Sequence, residues 1–516
     1  MKNLWSGVSF SVLSGVLLIL GFPKIGLYYF PWVALPPLFL ALRDRTAKEA
    51  FALGCVCGLV HYLGTLYWIY HAVHQYGGVP LPAAALVLLL LCAYLALYSG
   101  CFAVIAQQWQ PYPILWVLGL PGAWVALELV RAHMITGFPW PNLGYSQTPV
   151  LPLIQIADLC GVYGVSWLVV LGCTTLTALL TRTAWVPGLL VFGICLPAIL
   201  LYGSWRVGYI EDLQSAAMPW TVGVVQGNID QSKKWDPEFQ QETLKRYRDL
   251  SLQAVANEPR PELLVWPETS VPFFYRFEEK LTAQLNEMIK EAGVPVLFGS
   301  PGVTLVDGQP RLQNRAYLVN GSAVLEGVYA KRHLVPFGEY VPLKKLLFFV
   351  DRLVQAAGDF VPGDDASPLI LGRQPFGVLI CYEDIFPNLA GDAVERGATS
   401  LINITNDAWY GTTSAPYQHL EIAGWRAVEF RVPLIRAANT GISSIFDATG
   451  KSCGTISLTQ QGVQVCTVHP FRILTFYAKW GDLFAWICVL TTAGGFAYTV
   501  LIRRSSTSGP MRRLFT

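Results

Sequence analysis

The chain reads as a bundle of about eight membrane-crossing helices joined to one large water-facing domain of layered α and β structure. Three observations predict this. Charge is segregated: of 70 Lys, Arg, Asp and Glu residues among 516, only 14 fall in residues 1–212. Those first residues hold seven apolar stretches near the roughly 20-residue length that crosses a ~30 Å hydrocarbon core. Residues 220–470 instead alternate short β-rich runs with amphipathic stretches, the pattern of layered packing. The expected division is a seven-span bundle at 1–212, a catalytic domain at 213–475, and a last span with its tail at 476–516.

The apolar stretches lie at 5–22, 26–42, 51–72, 82–106, 112–132, 163–181, 186–204 and 482–502. The first sits in a run of similar segments without a small-residue cleavage pattern, so it reads as a span and not a signal peptide. Eight spans return both termini to one side. Lys2, Arg43, Arg45, Lys48, Arg182, Arg503, Arg504, Arg512 and Arg513 all fall on that side, with Lys24 the exception. The positive-inside bias makes it the cytoplasm and puts the large domain outside. A net charge of +2 with no Lys/Arg-rich run argues against nucleic acid.

Within the bundle, Glu128 and Arg131 are one helical turn apart on the fifth span. They read equally as an interhelical ion pair or as part of a polar cavity for a lipid headgroup. The Pro/Gly/aromatic run at 136–145, which includes Trp140, reads as an interfacial aromatic belt or a substrate entrance. His71 and His74 lack a third ligand, so no metal is expected there. Most of the 11 cysteines lie in or beside apolar segments, where they act as small hydrophobes. Cys453 and Cys466 flank a hairpin-like stretch. They are either free or paired in an oxidising compartment, since connectivity is not readable from sequence.

In the large domain, strands are expected at 221–225, 263–266, 295–299, 316–319, 323–329, 376–380, 400–404, 433–437 and 443–446. Helices are expected at 237–256, 278–292 and 417–429. Residues 344–366 interrupt the pattern with apolar bulk and then Gly and Asp, and read as a flap or a membrane-dipping segment. No G-x-G-x-x-G, P-loop or G-x-S-x-G occurs, which removes the commonest nucleotide and serine-hydrolase readings.

Three stretches carry chemistry: Leu263-Leu-Val-Trp-Pro-Glu268, Lys331-Arg-His-Leu-Val-Pro-Phe-Gly-Glu339 and Phe376-Gly-Val-Leu-Ile-Cys381-Tyr-Glu-Asp384. An apolar run that ends in Glu268 or Cys381 presents a reactive group at the rim of a sheet. A thiol needs a base or a positive field to become a nucleophile at neutral pH. Glu268 is the candidate general base, returning the proton to the leaving group. Lys331 is the candidate stabiliser of thiolate and oxyanion, with the Tyr382 N–H as a second donor. Glu339 and Glu383 are candidates to orient Lys331. Each feature alone has a bland reading: a core cysteine, a helix-start acid, a solvated lysine. Their joint order on separate strand ends is what carries the signal.

These stretches resemble the Glu-Lys-Cys triad of the nitrilase superfamily. Together with Asn406-Asp-Ala-Trp-Tyr-Gly411, Arg436-Ala-Ala-Asn-Thr-Gly441 and the spans, nearly the whole chain resembles the apolipoprotein N-acyltransferase family. The resemblance implies an αββα sandwich outside the cytoplasmic membrane of a bacterium, in the periplasm. It implies ping-pong transfer. Cys381 takes an acyl chain from a phospholipid, typically phosphatidylethanolamine, as a thioester. The α-amino group of a diacylglyceryl-cysteine on an apolipoprotein then receives it. No metal or soluble cofactor is implied. The resemblance also suggests Trp235, Phe337 and Tyr382 near substrate, with Asn314 supporting the lysine; Trp140 joins them as a substrate-binding candidate on the entrance reading of 136–145. A catalytic unit complete in one chain implies a monomer.

Two other readings fit the residues. One is a membrane-tethered nitrilase or amidase hydrolysing a small C–N substrate with the same triad; the other is a transporter or lipid-binding scaffold with an inactive domain. The apolar stretch at 344–366 favours a lipid-facing, water-excluding site over the hydrolase.

Overall fold

Among the described residues, six helices are long and apolar enough to cross a membrane: Ala47–Leu66, Leu81–Trp109, Pro113–His133, Ala157–Thr181, Trp185–Ala216 and the stretch Leu483–Ile502. Two further expected spans are shorter. The first is a 17-residue helix, Leu4–Leu20. The second is broken into a 3₁₀ turn, Phe30–Val33, and a six-residue helix, Pro36–Ala41. Pro31, Pro36 and Pro37 each remove a backbone donor, which is costless only in the first turn of a helical segment. The computed structural model describes residues 4–231, 234–340 and 360–507. These form two units, one of residues 1–67, 85–203 and 482–516, the other of residues 68–84 and 204–481.

In the helical unit, glycines let helices approach closely. A Cβ on Gly15 would lie 2.6 Å from the Cys57 carbonyl, and one on Gly58 would lie 2.6 Å from Ser99 Oγ. The helix Ala47–Leu66 starts at a capping box in which Thr46 and Glu49 satisfy each other's N–H groups. Glu128 and Arg131 are both buried and serve as anchors. Arg131 donates to Tyr62 Oη and Asn142 Oδ1, each at 2.6 Å. Glu128 accepts from Trp124 Nε1 at 2.9 Å and the Leu143 N–H at 2.7 Å. Both residues therefore hold the segment around 142–143, and both also line a small cavity beside Tyr62, Tyr98 and Trp124.

Among the described residues, the second unit has twelve strands. They are β1 Trp220–Gln226, β2 Leu263–Val265, β3 Val296–Val306, β4 Gln309–Val319, β5 Leu325–Ala330 and β6 Leu369–Leu371. They continue as β7 Gln374–Ile380, β8 Ser400–Thr405, β9 Leu434–Ala438, β10 Ser443–Phe446, β11 Ser452–Ile456 and β12 Gly462–Val468. They form two six-stranded sheets in the orders β12-β1-β2-β3-β4-β5 and β11-β10-β9-β8-β7-β6. Each sheet has a parallel centre, β1-β2-β3 or β7-β8-β9, with antiparallel flanks.

The sheets stack, with Trp220 of β1 lying on Phe376 of β7 at 6.1 Å between ring centroids. Helices Pro237–Val255 and Glu279–Ala292 cover the outer face of the first sheet, burying Leu244, Tyr247, Leu285 and Ile289 against Val225 and Val296. Helices Pro387–Glu395 and Ala415–Phe430 pack on β7 and β9 of the second. The layers run α-β-β-α. Burial on both faces is why β1, β8 and β9 read as continuous apolar runs and not as alternating ones. The flap expected at 344–366 lies, through residue 359, outside the described residues. Its end is anchored beside the site: the Gly363 N–H donates to the Lys331 carbonyl at 2.8 Å.

The stretch between Cys453 and Cys466 is not a hairpin. β11 pairs with β10 in one sheet and β12 with β1 in the other. The two cysteines are joined by a disulfide, which staples the edges of the two sheets. Alkylation of native, unreduced protein should leave Cys453 and Cys466 unlabelled; labelling of either contradicts the pairing. Replacing both by Ala should lower stability by about 3 kcal/mol, the scale for so short a closed loop.

Candidate active site

Glu268 stands just past the carboxyl end of the buried strand β2. Trp266, stacked on Tyr247 at 4.8 Å and bonded through Nε1 to Ser251 Oγ at 3.1 Å, fixes the turn that carries it. The β3 backbone runs so close to this turn that a Cβ on Gly299 would lie 2.7 Å from Glu268 Cα, so only glycine fits there. The carboxylate is 7% exposed. Its Oε1 accepts from Asn314 Nδ2 at 2.7 Å and its Oε2 from the Asn406 N–H at 3.0 Å.

Lys331 follows β5 and is 1% exposed. Its own N–H donates to the Asn314 carbonyl on β4 at 2.8 Å. Its ammonium lies 2.9 Å from Glu339 and 3.8 Å from Glu268 Oε1. Asn314 spends its second amide hydrogen on Glu339 at 3.0 Å. One asparagine thus spaces the two carboxylates that flank the lysine. Burial works against the charged lysine, but Glu339 and then Glu268 outweigh it and hold the pKa above its usual value. The group is a fixed cation.

Cys381 begins the 3₁₀ turn Cys381–Ile385 at the end of β7. Its φ of +53° is a left-handed conformation that costs a non-glycine residue about 1 kcal/mol or more. Two bonds hold it: the Ile380 N–H to Glu383 Oε2 at 2.7 Å, and Asn403 Nδ2 to the Cys381 carbonyl at 3.2 Å. Burial pushes the thiol well above its usual pKa, and the Glu268 charge adds to that while Lys331 opposes it. Glu268 and Lys331 therefore both act on the sulfur, and the resting group is a thiol.

Glu383 does not orient the lysine side chain as its position suggested. It is fully buried and accepts from the Arg332 N–H at 2.6 Å, the His333 N–H at 3.0 Å and Tyr329 Oη, as well as from Ile380. It ties the backbone after Lys331 to the turn that holds Cys381. Burial raises its pKa to about 7 despite these donors.

Of the aromatic candidates, Tyr382 is buried against Phe386 and His333. Trp235 and Phe337 are 49% and 47% exposed. Trp140 belongs to the helical unit and is 1% exposed. Residues with no role assigned from sequence also converge. Asn406 donates to Glu268 through its backbone, and Lys234, 1% exposed, donates from Nζ to the Glu268 carbonyl at 3.3 Å. Burial lowers the Lys234 pKa to about 8, with Glu268 opposing. The signal for Asn403 was in plain view as a polar residue in the apolar run of β8, Leu401-Ile-Asn-Ile404.

Residues 14–175 match the family described as apolipoprotein N-acyltransferase N-terminal domain, and residues 221–473 match carbon-nitrogen hydrolase. The apolipoprotein N-acyltransferase of Geobacter metallireducens is 42% identical over 94% of this chain and 93% of its own length. Those of Methylococcus capsulatus and Azotobacter vinelandii are each 33% identical, over 97% and 98% of this chain and 97% of their own lengths. Two-part coverage and end-to-end identity agree: the chain belongs to the apolipoprotein N-acyltransferase family.

Proposed function

We propose that this chain is a bacterial membrane enzyme that moves a fatty acyl group from a phospholipid, through a thioester on Cys381, to the α-amino group of a diacylglyceryl-cysteine on an apolipoprotein. The observation that carries the reading is the convergence of one thiol, one fixed ammonium and one carboxylate at the ends of β7, β5 and β2. In the first half-reaction Glu268 takes the thiol proton as sulfur attacks the ester carbonyl. Lys331 and the Tyr382 N–H stabilise the oxyanion. Glu268 then returns the proton to the departing lysophospholipid oxygen. In the second, the amine attacks the thioester, Glu268 removes a proton from nitrogen, and the thiolate leaves and is reprotonated.

The donor is phosphatidylethanolamine, the acceptor an apolipoprotein, and no cofactor takes part. We assign the enzyme, as a monomer, to the bacterial inner membrane. Its bundle lies at 1–212, the catalytic domain at 213–475 faces the periplasm, and the last span with its cytoplasmic tail occupies 476–516. The Cys453–Cys466 disulfide supports an oxidising compartment for that domain. Trp235 and Phe337, both half exposed, are the side chains proposed to meet substrate. The names of the full-length relatives favour acyl transfer over hydrolysis of a small amide.

Incubation with phospholipid alone should add one acyl mass to Cys381, and Cys381→Ala should abolish both the adduct and N-acylation. Fatty acid released at full rate without an amine acceptor would point to the hydrolase instead. Lys331→Met should lower turnover by about 10²–10³-fold, the scale for loss of an oxyanion donor. Because burial holds the thiol above its usual pKa, iodoacetamide labelling of Cys381 should climb steadily with pH above neutrality. A plateau below pH 7 would contradict a resting thiol. Glu383→Ala strands three buried N–H groups, at about 1–3 kcal/mol each. Denaturant unfolding should show a loss of at least about 3 kcal/mol, and an unchanged midpoint would remove Glu383 from its anchoring role.

A further inference from the structure

Behind the Cys381 turn, four charged side chains outside the Glu268–Lys331 pair are almost wholly enclosed. Asp384 comes from the turn itself, Asp407 from the turn after β8, His419 from helix Ala415–Phe430 and Arg436 from β9; none is more than 1% exposed. His419 Nε2 lies 2.8 Å from Asp384 Oδ1 and its Nδ1 lies 2.9 Å from Asp407 Oδ1. Arg436 donates from Nη1 to Asp384 Oδ2 and from Nη2 to Asp407 Oδ2, both at 2.8 Å. Each carboxylate therefore meets both cations. Arg436 Nη2 also lies 2.9 Å from His419 Nδ1, which disfavours a charged ring. The two carboxylates, one on each ring nitrogen, outweigh that and the burial, and the His419 pKa is raised. Two anions, a guanidinium and an imidazolium sum to zero, the condition under which a buried ionic cluster is tolerated.

Three links join this cluster to the sulfur. Asp384 shares the five-residue turn with Cys381. Arg436 Nη1 donates to Asn403 Oδ1 at 2.6 Å, and Asn403 Nδ2 in turn donates to the Cys381 carbonyl. Thr405 Oγ1 donates to Asp407 Oδ1 at 3.2 Å, and the same hydroxyl favours the thiolate form of Cys381. Among the described residues, the charges that bear on the sulfur are Glu268 and Asp407, which disfavour a thiolate, and Lys331, which favours it; the Tyr382 and Tyr410 hydroxyls feel the sulfur in turn. Of the carboxylates among them, only Asp407 has no part in the proposed proton transfer, and its charge opposes a thiolate.

We propose that Asp384, Asp407, His419 and Arg436 form a charge-neutral clamp that positions the Cys381 turn and cancels the Asp407 carboxylate beside the sulfur. Because His419 and Arg436 serve Asp407 from two sides, the Thr405 proton, donated to Asp407 at rest, can turn to the thiolate as it forms. These four are positioning residues, and the inference rests on Cys381 being the nucleophile. That is tested separately by the acyl adduct of the wild-type protein: its absence sinks the nucleophile, whereas the reactivity measurements below concern the clamp alone.

The test follows iodoacetamide labelling of Cys381 in the full-length protein, read on its own peptide by mass spectrometry across pH. His419→Gln removes the imidazolium and leaves Asp407 half-answered. Labelling at pH 7.5 should fall about tenfold, a shift of about one pH unit in the profile. Adding Asp407→Asn to that variant removes the stranded charge and should restore most of the rate. An unchanged profile in His419→Gln, or a double variant slower than the single one, overturns the proposal. Should His419→Gln not fold, Thr405→Val supplies the second arm. It keeps the shape and loses the hydroxyl, so labelling should slow several-fold in a folded protein; an unaltered rate overturns the proposal too.

Discussion

A buried ammonium is tolerated only when anions answer it, and the active site is arranged around that requirement. Lys331 is enclosed almost completely, 2.9 Å from Glu339 and 3.8 Å from Glu268. An isolated ammonium there would lose several kcal/mol of hydration and give up its proton. The nearer pairing with Glu339 keeps it charged, which leaves Glu268 less tightly engaged and so able to handle a proton. Asn314, bonded to both carboxylates, prevents them from collapsing onto the lysine together. One cation, two anions and one amide thus divide the roles of charge stabiliser and base.

The αββα sandwich makes this arrangement possible because its parallel strands all release their chains at one edge. β2 delivers Glu268 from one sheet and β7 delivers Cys381 from the other, while β5 brings in Lys331. Facing sheets with fully buried strands are stiff, so residues at their ends have few ways to move apart. Glu383 adds a direct tie, accepting N–H groups from the lysine segment and from the strand before the cysteine. The left-handed Cys381 backbone is thereby held against its own preference. The same enclosure sets the chemistry, since a buried thiol stays protonated until a base removes its proton.

Much of this was readable in order along the chain. Leu263–Val265, Phe376–Ile380, Ser400–Ile404 and Pro433–Ala437 announce themselves as apolar, β-branched runs bounded by turn residues, and each is a strand or nearly so. Glu268, Lys331 and Cys381 were legible because a reactive group directly after such a run has few structural explanations. The outer halves of β3 and β4 were not, because Gly302 and Gln309 to Gln313 read as loop; they become strand only by pairing across the turn at Asp307 and Gly308. The second expected span looked continuous in hydropathy, yet its prolines break it. Hydropathy counts side chains and is blind to a missing backbone donor.

Local chemistry and period, then, settle from sequence alone which segments are apolar, where chains turn, and which residues are reactive. Partner choice belongs to tertiary structure. Glu383 looked like a neighbour of Lys331 Nζ and instead holds backbone, and Cys453 meets Cys466 across two sheets and not within a hairpin. Asp384, Asp407 and Arg436 lie in motifs visible along the chain, but their meeting with His419 has no linear signature, because the four come from separate elements. The reason is physical: hydrogen bonds and charge act over a few ångströms in space, and only the folded chain decides which distant residues share that space.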